Sequence, residues 1–411
     1  METKTDLKFG SVLAMDNKLP LSISEYPAEQ QVHEGLEGVL VARTAISDVN
    51  GDIGALQFRG IDIRELAQSS TYEEVVYLLW TNALPTPRQL EAFKAELAVE
   101  REVDAGIYEI LRFLSHYMKP MDALRTAVSV LASDNPGEDN VCPESCLKKA
   151  MSLTAKFPTL VAYYCRESQG KMWVHPDPRL GQAENFLYMM HGKRPTPLEA
   201  RAMDLTMLLM VEHSFNASTF AARVTASTLA DMGAAITSAM GTLKGPLHGG
   251  ANQGALEMLL EIGTLDNVEP YIDAALAAKQ RILGFGHRIY RKAGDSRVPY
   301  IKDMLYQLCA QSGDFHLYEL ATAVADAVWQ RKRLFANVDF YMAPTLHMLG
   351  IPVDLLTPFF AMCRMAGWTA HVMEQYANNR LIRPNALYVG PVQRPYIPLD
   401  RRADFAMMAE E

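Results

Sequence analysis

The sequence contains few cysteines, and their placement argues against both a disulfide framework and a metal site. Only five occur in 411 residues, at Cys142, Cys146, Cys165, Cys309 and Cys363. Thiols this few and scattered favour a reducing compartment. Cys142 and Cys146 are close neighbours, but no second pair of Cys or His follows at zinc-site spacing. We therefore expect no bound metal.

Long apolar runs, targeting signals and an excess of positive charge are absent as well. No apolar run reaches the roughly 18 residues that a membrane-spanning helix requires. The opening METKTDLKFG has mixed charge and no apolar stretch. Lys and Arg number 39 against 48 Asp and Glu, and the net charge of -9 repels nucleic acid backbones and anionic lipids. We expect a cytoplasmic protein that binds neither nucleic acid nor membranes.

The composition, 49% hydrophobic and 21% charged, is that of a globular protein and excludes a disordered, collagen-like or coiled-coil chain. Residues 36 to 58 hold two β-branched runs on either side of Asn50-Gly51, a pair that favours a tight hairpin turn. Apolar residues then recur at helical spacing in residues 121 to 131, 73 to 80, 88 to 100, 201 to 212, 271 to 283, 316 to 333 and 361 to 377. The predicted fold class is mainly α, with a small N-terminal β-hairpin or sheet.

The segment GTLKGPLHGGAN (241 to 252) surrounds His248 with glycines. Glycines let a ligand approach the backbone closely, and a helix beginning near Asn252 favours a neutral imidazole that donates a hydrogen bond. A turn histidine whose glycines only make a bend is the alternative interpretation.

The segment LGFGHRIYRKAGDSRVP (283 to 299) places His287 after Gly284 and Gly286 and before several basic residues. This pattern suits a phosphate-rich ligand beside a small anion, with a solvated basic loop as the alternative. The GFGH run lacks the third glycine of a dinucleotide fingerprint and is not a Walker loop, so nothing supports nucleotide hydrolysis.

Two further segments add a carboxylate and arginines. Asp339 is the only acid in FANVDFYMAPT (335 to 345), where burial raises the pKa of a carboxyl and makes it a better base. A cap of the next helix is the alternative role. Arg364 lies in an apolar helical stretch, and a buried arginine requires an anion. Arg383 precedes Pro384, which predicts an extended segment, with a surface arginine as the alternative.

Taken together, these segments resemble citrate synthase and its relative 2-methylcitrate synthase. The motifs that carry the resemblance follow the family's order between about residues 33 and 402, and they are FRGIDI (58 to 63), EHSFNASTF (212 to 220), GPLHGGAN, GFGHRIYRKAGDSR, NVDFY and RLIRPNALYVGP. Enzymes of this family join an acyl-CoA to oxaloacetate and then hydrolyse the thioester, without a metal. The resemblance implies no cofactor, because coenzyme A arrives as part of the thioester substrate.

The resemblance also implies roles for individual residues. Asp339 matches the base that removes the α-proton, His248 the donor to the thioester oxygen, and His287 the histidine that polarises and protonates the oxaloacetate carbonyl. Other matches are the oxaloacetate-binding residues, at His213, Arg297, Arg364 and Arg383, and the coenzyme A phosphate and adenine region, at Gly284, Gly286 and Arg291. The residue that matches Arg383 comes from the neighbouring subunit, which implies a homodimer.

The implied architecture is a two-domain, citrate-synthase-like helical fold. Residues 1 to 248 and 356 to 411 would form a large domain for dimerisation and oxaloacetate binding. Residues 249 to 355 would form a small domain that binds coenzyme A and carries His287 and Asp339. Oxaloacetate is expected to bind first and close the small domain, which shields the carbanion from water.

Met342 and two of the motifs bear on the identity of the acyl donor. Met342 stands where the family usually has Ser, three positions after Asp339, and is therefore a candidate acyl-pocket residue. EHSFNASTF and GDSRVP look more like 2-methylcitrate synthases, which favours propionyl-CoA, with acetyl-CoA next and a longer acyl-CoA third. A non-catalytic homologue that binds coenzyme A or carboxylates is the alternative outside the enzyme class.

Overall fold

The computed structural model describes residues 32 to 133, 139 to 391, 394 and 396 to 402. The chain divides into two units, one formed by residues 44 to 382 and the other by the described residues of 32 to 43 and of 383 to 402. All the predicted site residues except Arg383 lie in the larger unit.

The N-terminal sheet is confirmed as three antiparallel strands in the order β1 (Ser47–Asn50), β2 (Ala55–Phe58) and β3 (Ile61–Asp62). The predicted tight turn at Asn50-Gly51 is wrong in detail, since the turn covers residues 51 to 54 and the left-handed residue is Gly54, with φ of +67°. Gly51 is needed for another reason. A Cβ there would lie 2.1 Å from the carbonyl oxygen of Ile289, so the missing side chain lets the hairpin approach that segment.

Helices make up most of the described chain and confirm the mainly α fold class. The α-helices are α1 (Ile63–Ser69), α2 (Tyr72–Thr81), α3 (Pro87–Val99), α4 (Ala105–Ser115), α5 (Pro120–Ser133), α6 (Pro143–Ser168), α7 (Gln182–His191), α8 (Pro197–Met210), α9 (Ala217–Ser227), α10 (Met232–Leu243), α11 (Ala251–Ile262), α12 (Val268–Ala277), α13 (Val298–Ser312), α14 (His316–Lys332), α15 (Val338–Met348) and α16 (Leu356–Ala377). Short 3-10 helices cover Glu34–Leu36, Leu265–Asn267, Val353–Leu355 and Leu399–Arg401. Within the described residues, no helix combines the length and apolarity needed to cross a membrane.

Local signals in the sequence determine where several helices begin. α2, α3 and α8 each start with a capping box, in which a threonine and the Glu or Gln three positions later bond each other's backbone N–H groups. Pro87 and Pro197 occupy the first position of α3 and α8, where no N–H is needed.

The predicted helix over residues 271 to 283 is wrong at its end. α12 stops at Ala277, because Lys279 is left-handed with φ of +53°. The N–H groups of Lys279 and Gln280 turn back to the carbonyls of Leu276 and Ala275 and so close the helix.

Helix α16 is the buried centre of the larger unit and packs against α6, α9, α10 and α2. Arg364, Trp368 and His371 lie on it, and buried polar side chains must find partners inside the protein. A Cβ at Gly367 would lie 2.3 Å from the carbonyl oxygen of Val211. The glycine therefore lets α16 approach the α8–α9 connection, which carries His213.

The two predicted domain boundaries lie side by side. The Asn252 side-chain amide donates to the carbonyl of Leu356 at 3.1 Å, and the Thr357 hydroxyl donates to the carbonyl of Gly249 at 3.1 Å. These reciprocal bonds join the start of α11 to the start of α16. The division into two domains at these positions stays a prediction.

Candidate active site

A short antiparallel pairing places His287 beside the start of α15. The Asn337 N–H donates to the carbonyl of Gly284 at 2.9 Å, and the Asn337 side-chain amide donates to the carbonyl of Gly286 at 3.0 Å. Gly284 has a φ of +83°, and a Cβ there would lie 2.8 Å from the Cβ of Phe340. Glycine is therefore required at this position. The pairing brings the GFGH and NVDFY motifs together.

Asp339 lies in the first turn of α15 and is not its cap. Asn337 is the cap, and its side chain accepts the Asp339 N–H at 3.1 Å. The Oδ1 atom of Asp339 is buried and has no hydrogen-bond partner among the described residues. Burial raises the pKa of Asp339 to about 6, against the opposing effect of Arg297 and Arg364. The result is a carboxylate that is more basic than an ordinary aspartate and has an oxygen free to accept a proton.

His287 has a defined tautomer. Its Nδ1 accepts the backbone N–H of Ile289 at 3.0 Å and that of Tyr290 at 3.4 Å. Burial and then the charge of Arg297 lower the pKa of His287 to about 4, so the ring is neutral near pH 7. The neutral ring with an accepting Nδ1 carries its proton on Nε2, which is available to a ligand.

His248 has the opposite tautomer. Its Nε2 lies 2.8 Å from the Ser218 hydroxyl and accepts the Ser218 backbone N–H at 3.3 Å, so the proton belongs on Nδ1. The Trp368 indole fixes that hydroxyl by donating to it at 3.1 Å. Burial and then Arg364 lower the pKa of His248 to about 4. α11 begins at Ala251, close to the predicted start, but the imidazole bonds to Ser218 rather than to that helix.

Arg364 is a buried cation that has no carboxylate partner among the described residues. It is 2% exposed, and its Nε donates to the carbonyl of Met210 at 2.8 Å. The guanidinium also lies 4.8 Å from the ring centre of Phe360. Burial lowers the pKa of Arg364 to about 10, while nearby Glu212 opposes that change. Such a guanidinium favours an anionic ligand.

Arg297 already has a partner. Its Nε and Nη2 form a two-point ion pair with Asp295 at 2.9 and 2.8 Å, and both side chains are nearly inaccessible. Burial disfavours the charge on Arg297, but Asp295 outweighs it and raises the pKa above the usual value. The same carboxylate accepts the Val338 N–H at 3.2 Å. Asp295 therefore connects Arg297 to the start of α15, and one edge of the guanidinium is engaged.

His213 lies between α8 and α9 and is 7% exposed. Its Nε2 is 3.1 Å from the Tyr290 hydroxyl, and its ring centre is 5.3 Å from that of His287. Burial, followed by Arg297, His287 and Arg364, holds the pKa of His213 well below its usual range. His213 is thus a neutral hydrogen-bonding group that feels the charges of Arg297 and Arg364 and lies near His287.

The sequence prediction missed the residues that hold this arrangement in place, although all are within or next to its motifs. Ser218 fixes His248, Asp295 fixes Arg297, and Tyr290 contacts both His213 and His287. Glu212 is fully buried, and its Oε1 accepts the Ser47 hydroxyl at 2.9 Å and lies 3.0 Å from His371 Nε2. These pairings are tertiary contacts. The sequence therefore indicates only that the residues belong to the motifs, and not which partners they have.

Three further predicted residues have no contact with the residues above among the bonds described here. Arg383 belongs to the smaller unit, is exposed and donates to the Asn385 side chain at 2.9 Å. Arg291 is exposed, and its Nε donates to the carbonyl of Arg288 at 3.1 Å. Met342 lies about one turn beyond Asp339 on α15 and is fully buried. The described residues contain no group of three or more His, Cys, Asp or Glu placed to hold a metal ion.

Comparisons with known proteins match the chain to one family. The family model described as citrate synthase, C-terminal domain, matches residues 35 to 385. Citrate synthase 2 of Bacillus subtilis is 45% identical over 90% of this chain and 99% of its own length. The 2-methylcitrate synthase of Shewanella oneidensis is 40% identical over 91% of this chain and 99% of its own length.

A solved structure agrees with the sequence comparisons. Citrate synthase from Thermoplasma acidophilum, solved as a ternary complex with carboxymethyl coenzyme A and oxaloacetate, superposes with a TM-score of 0.85 at 30% identity. The match covers 90% of this chain and 100% of that one. On the family model, the near-full-length relatives and the shared fold, the chain belongs to the citrate synthase family.

Proposed function

We propose that the protein condenses oxaloacetate with a short acyl-CoA and hydrolyses the thioester, releasing 2-methylcitrate or citrate and coenzyme A. One observation carries this proposal. Asp339 has a buried carboxylate oxygen without a partner among the described residues, and it feels the charges of the same arginines, Arg364 and Arg297, as the neutral histidines His248 and His287. Removal of a weakly acidic α-proton needs such a base together with a donor to the developing enolate oxygen.

The first step forms the nucleophile. Asp339 accepts a proton from the α-carbon of the acyl group, and the Nδ1–H of His248 donates to the thioester oxygen, where negative charge develops. The low pKa of His248, about 4, keeps its ring neutral, so it acts as a hydrogen-bond donor.

The second step joins the two substrates. The α-carbon attacks the keto carbon of oxaloacetate, and the Nε2–H of His287 passes its proton to the keto oxygen as that oxygen becomes a hydroxyl. Water then cleaves the thioester. Arg364, Arg297 and His213 bind the oxaloacetate carboxylates, and the clearest support is that the Arg364 guanidinium has no carboxylate partner among the described residues.

The remaining roles complete the site. Residues 249 to 355 act as a small domain that closes over bound oxaloacetate, with Gly284, Gly286 and Arg291 contacting coenzyme A. The working unit is a homodimer, in which Arg383 reaches the oxaloacetate site of the partner subunit. No metal or cofactor takes part.

Steady-state kinetics with oxaloacetate and acetyl-, propionyl-, butyryl- and hexanoyl-CoA test this function. We expect release of free thiol that depends on oxaloacetate, with propionyl-CoA giving the highest kcat/KM and acetyl-CoA the next. One methylene group changes binding in an apolar pocket by only about 1 to 3 kcal/mol, so both short donors should react. A preference for hexanoyl-CoA would identify a synthase of longer alkylcitrates. Binding of coenzyme A without thiol release would identify a non-catalytic homologue.

The pKa of Asp339 gives a pH dependence. Its base form is present above a pKa of about 6 and is lost as the pH falls through that value. The histidines, with pKa values of about 4, stay neutral over the same range. We expect kcat/KM for the acyl-CoA to fall about tenfold per pH unit below about pH 6. A rate that stays constant down to about pH 5 would contradict the assignment of a raised pKa to the base.

Met342 is the proposed determinant of acyl-donor choice. A buried thioether in place of the family's usual hydroxyl makes the pocket more apolar and favours donors longer than acetyl. Met342→Ser should therefore lower the ratio of kcat/KM for propionyl-CoA to that for acetyl-CoA. Met342→Leu, which keeps volume and apolarity, is the control and should leave the ratio nearly unchanged. An unchanged or increased ratio in the serine variant would mean that Met342 packs the core or limits the pocket length.

A further inference from the structure

Tyr290 joins two of the histidines of the site. Its hydroxyl lies 3.1 Å from Nε2 of His213, while its backbone N–H points to Nδ1 of His287 at 3.4 Å. Its ring also packs against that of His287, with 4.7 Å between ring centres. The residue is 4% exposed, so its hydroxyl must be satisfied within the site.

The hydroxyl of Tyr290 has one hydrogen-bond partner among the described residues, and that partner is itself a ligand-binding candidate. Burial raises the pKa of Tyr290 to about 12, although Arg297 opposes the change, so the phenol keeps its proton and stays a donor. His213 is neutral for the reason given above. Because its hydroxyl bonds only to His213 among the described residues, Tyr290 is available to an incoming anion.

The site needs hydrogen-bond donors other than Arg297, because several N–H groups of Arg297 already have partners. Its Nε and Nη2 bond to Asp295, and its Nη1 lies 3.3 Å from the carbonyl of Leu209. A dicarboxylate bound between Arg297 and Arg364 has more acceptor positions than the remaining N–H groups satisfy. Additional uncharged donors are therefore needed in the same place.

We infer that Tyr290 is a further binding residue for the keto acid, an inference that rests on the proposed function. On binding, the Tyr290 hydroxyl turns from His213 and donates to a carboxylate of oxaloacetate, next to Nε2 of His213. While the hydroxyl donates to Nε2, that nitrogen is an acceptor, so the Tyr290 hydroxyl itself is the group that supplies the uncharged donor to the carboxylate. Before binding, their mutual bond holds both in position.

Tyr290→Phe removes only the hydroxyl and tests this role. We expect the Kd for oxaloacetate, measured by calorimetry without acyl-CoA, to rise about tenfold or more, as for loss of a hydrogen bond to a charged group. The kcat at saturating oxaloacetate should change by less than about threefold, because the hydroxyl binds the substrate and transition state alike. A merely structural role would not produce this split between KM and kcat.

Tyr164→Phe is the matched control. Tyr164 is also 4% exposed, its hydroxyl donates to the carbonyl of Met118 at 2.7 Å, and burial raises its pKa to about 12 as well. This variant should bind oxaloacetate within about twofold of the unmodified protein. A Kd for Tyr290→Phe that is also within twofold would overturn the inference.

A crystal structure of the unmodified protein with oxaloacetate gives a test that does not depend on the variant's folding. A Tyr290 hydroxyl within hydrogen-bond distance of a substrate oxygen supports the inference, and one still bonded to His213 overturns it. Thiol release by the unmodified protein keeps the two proposals separate. Its absence would overturn the proposed function, whereas its presence with unchanged binding in Tyr290→Phe would overturn only the role of Tyr290.

Discussion

Replacement of Asp339 by Asn should lower kcat about a thousandfold, near the middle of the range for loss of a general base. The amide has the shape of the carboxylic acid but cannot accept the α-proton. The buried Oδ1 of Asp339 lacks a partner among the described residues and the pKa of Asp339 is about 6, so this group has both a free acceptor atom and the basicity for the step. Oxaloacetate should still bind, because the arginines and His213 are untouched. Thiol-release kinetics and calorimetry on one preparation measure both effects.

Asp303→Asn is the control for this substitution. Asp303 is exposed on α13, and within the described part of the chain its carboxylate accepts only the side-chain amide of Gln307, one turn away. The control should keep the turnover and oxaloacetate affinity of the unmodified protein. Near-normal turnover in Asp339→Asn would remove Asp339 from the role of the base, whatever the control shows.

Mixing two inactive chains should restore activity if Arg383 serves the partner's site. One chain carries Arg383→Ala and the other Asp339→Asn, and each alone is expected to be nearly inactive. In a mixed dimer, the site on the Arg383→Ala chain keeps its own Asp339 and receives Arg383 from the other chain. Random exchange makes half of the dimers mixed, with one intact site in two, so about a quarter of the normal activity should return.

Subunit exchange must be demonstrated for this result to be decisive. Differently tagged chains purified through both tags isolate the mixed dimer, which should then have about half the activity of the unmodified dimer. Mixed dimers as inactive as the parents would contradict a shared site. A fully active Arg383→Ala homodimer would show that Arg383 is not needed at all.

The fold class and the family could be predicted from the sequence because both depend on local patterns and on ordered motifs. The spacing of apolar residues identified seven of the helices, one of them with a wrong end, and the capping boxes of α2, α3 and α8 mark the starts of those helices. The prediction for Asn50-Gly51 was wrong in detail because this position depends on a residue that is distant in the sequence. Gly51 is a glycine because of Ile289, far along the chain, and not because of the turn in which it lies.

The site, like the fold, could be predicted where local motifs decide it and could not be predicted where tertiary contacts do. The motifs supplied the candidate bases, donors and arginines, but the sequence left open whether Asp339 caps its helix. Only the placement of Asn337 as the cap and the unpaired oxygen of Asp339 decide this. The tautomers of His248 and His287 depend on Ser218 and on backbone N–H groups, which no residue pattern encodes. The engagement of Arg297 by Asp295 was likewise missed, although both residues are in one motif.

Analysis of the reaction product tests the central claim most directly. The unmodified protein is incubated with oxaloacetate and either propionyl-CoA or acetyl-CoA, and free coenzyme A and organic acids are measured together by thiol assay and mass spectrometry. We predict 2-methylcitrate from the first donor and citrate from the second, each formed in equal amount to the coenzyme A released and neither formed without oxaloacetate. Coenzyme A release that is independent of oxaloacetate, or the absence of any tricarboxylic acid product, would contradict the proposed carbon–carbon bond formation.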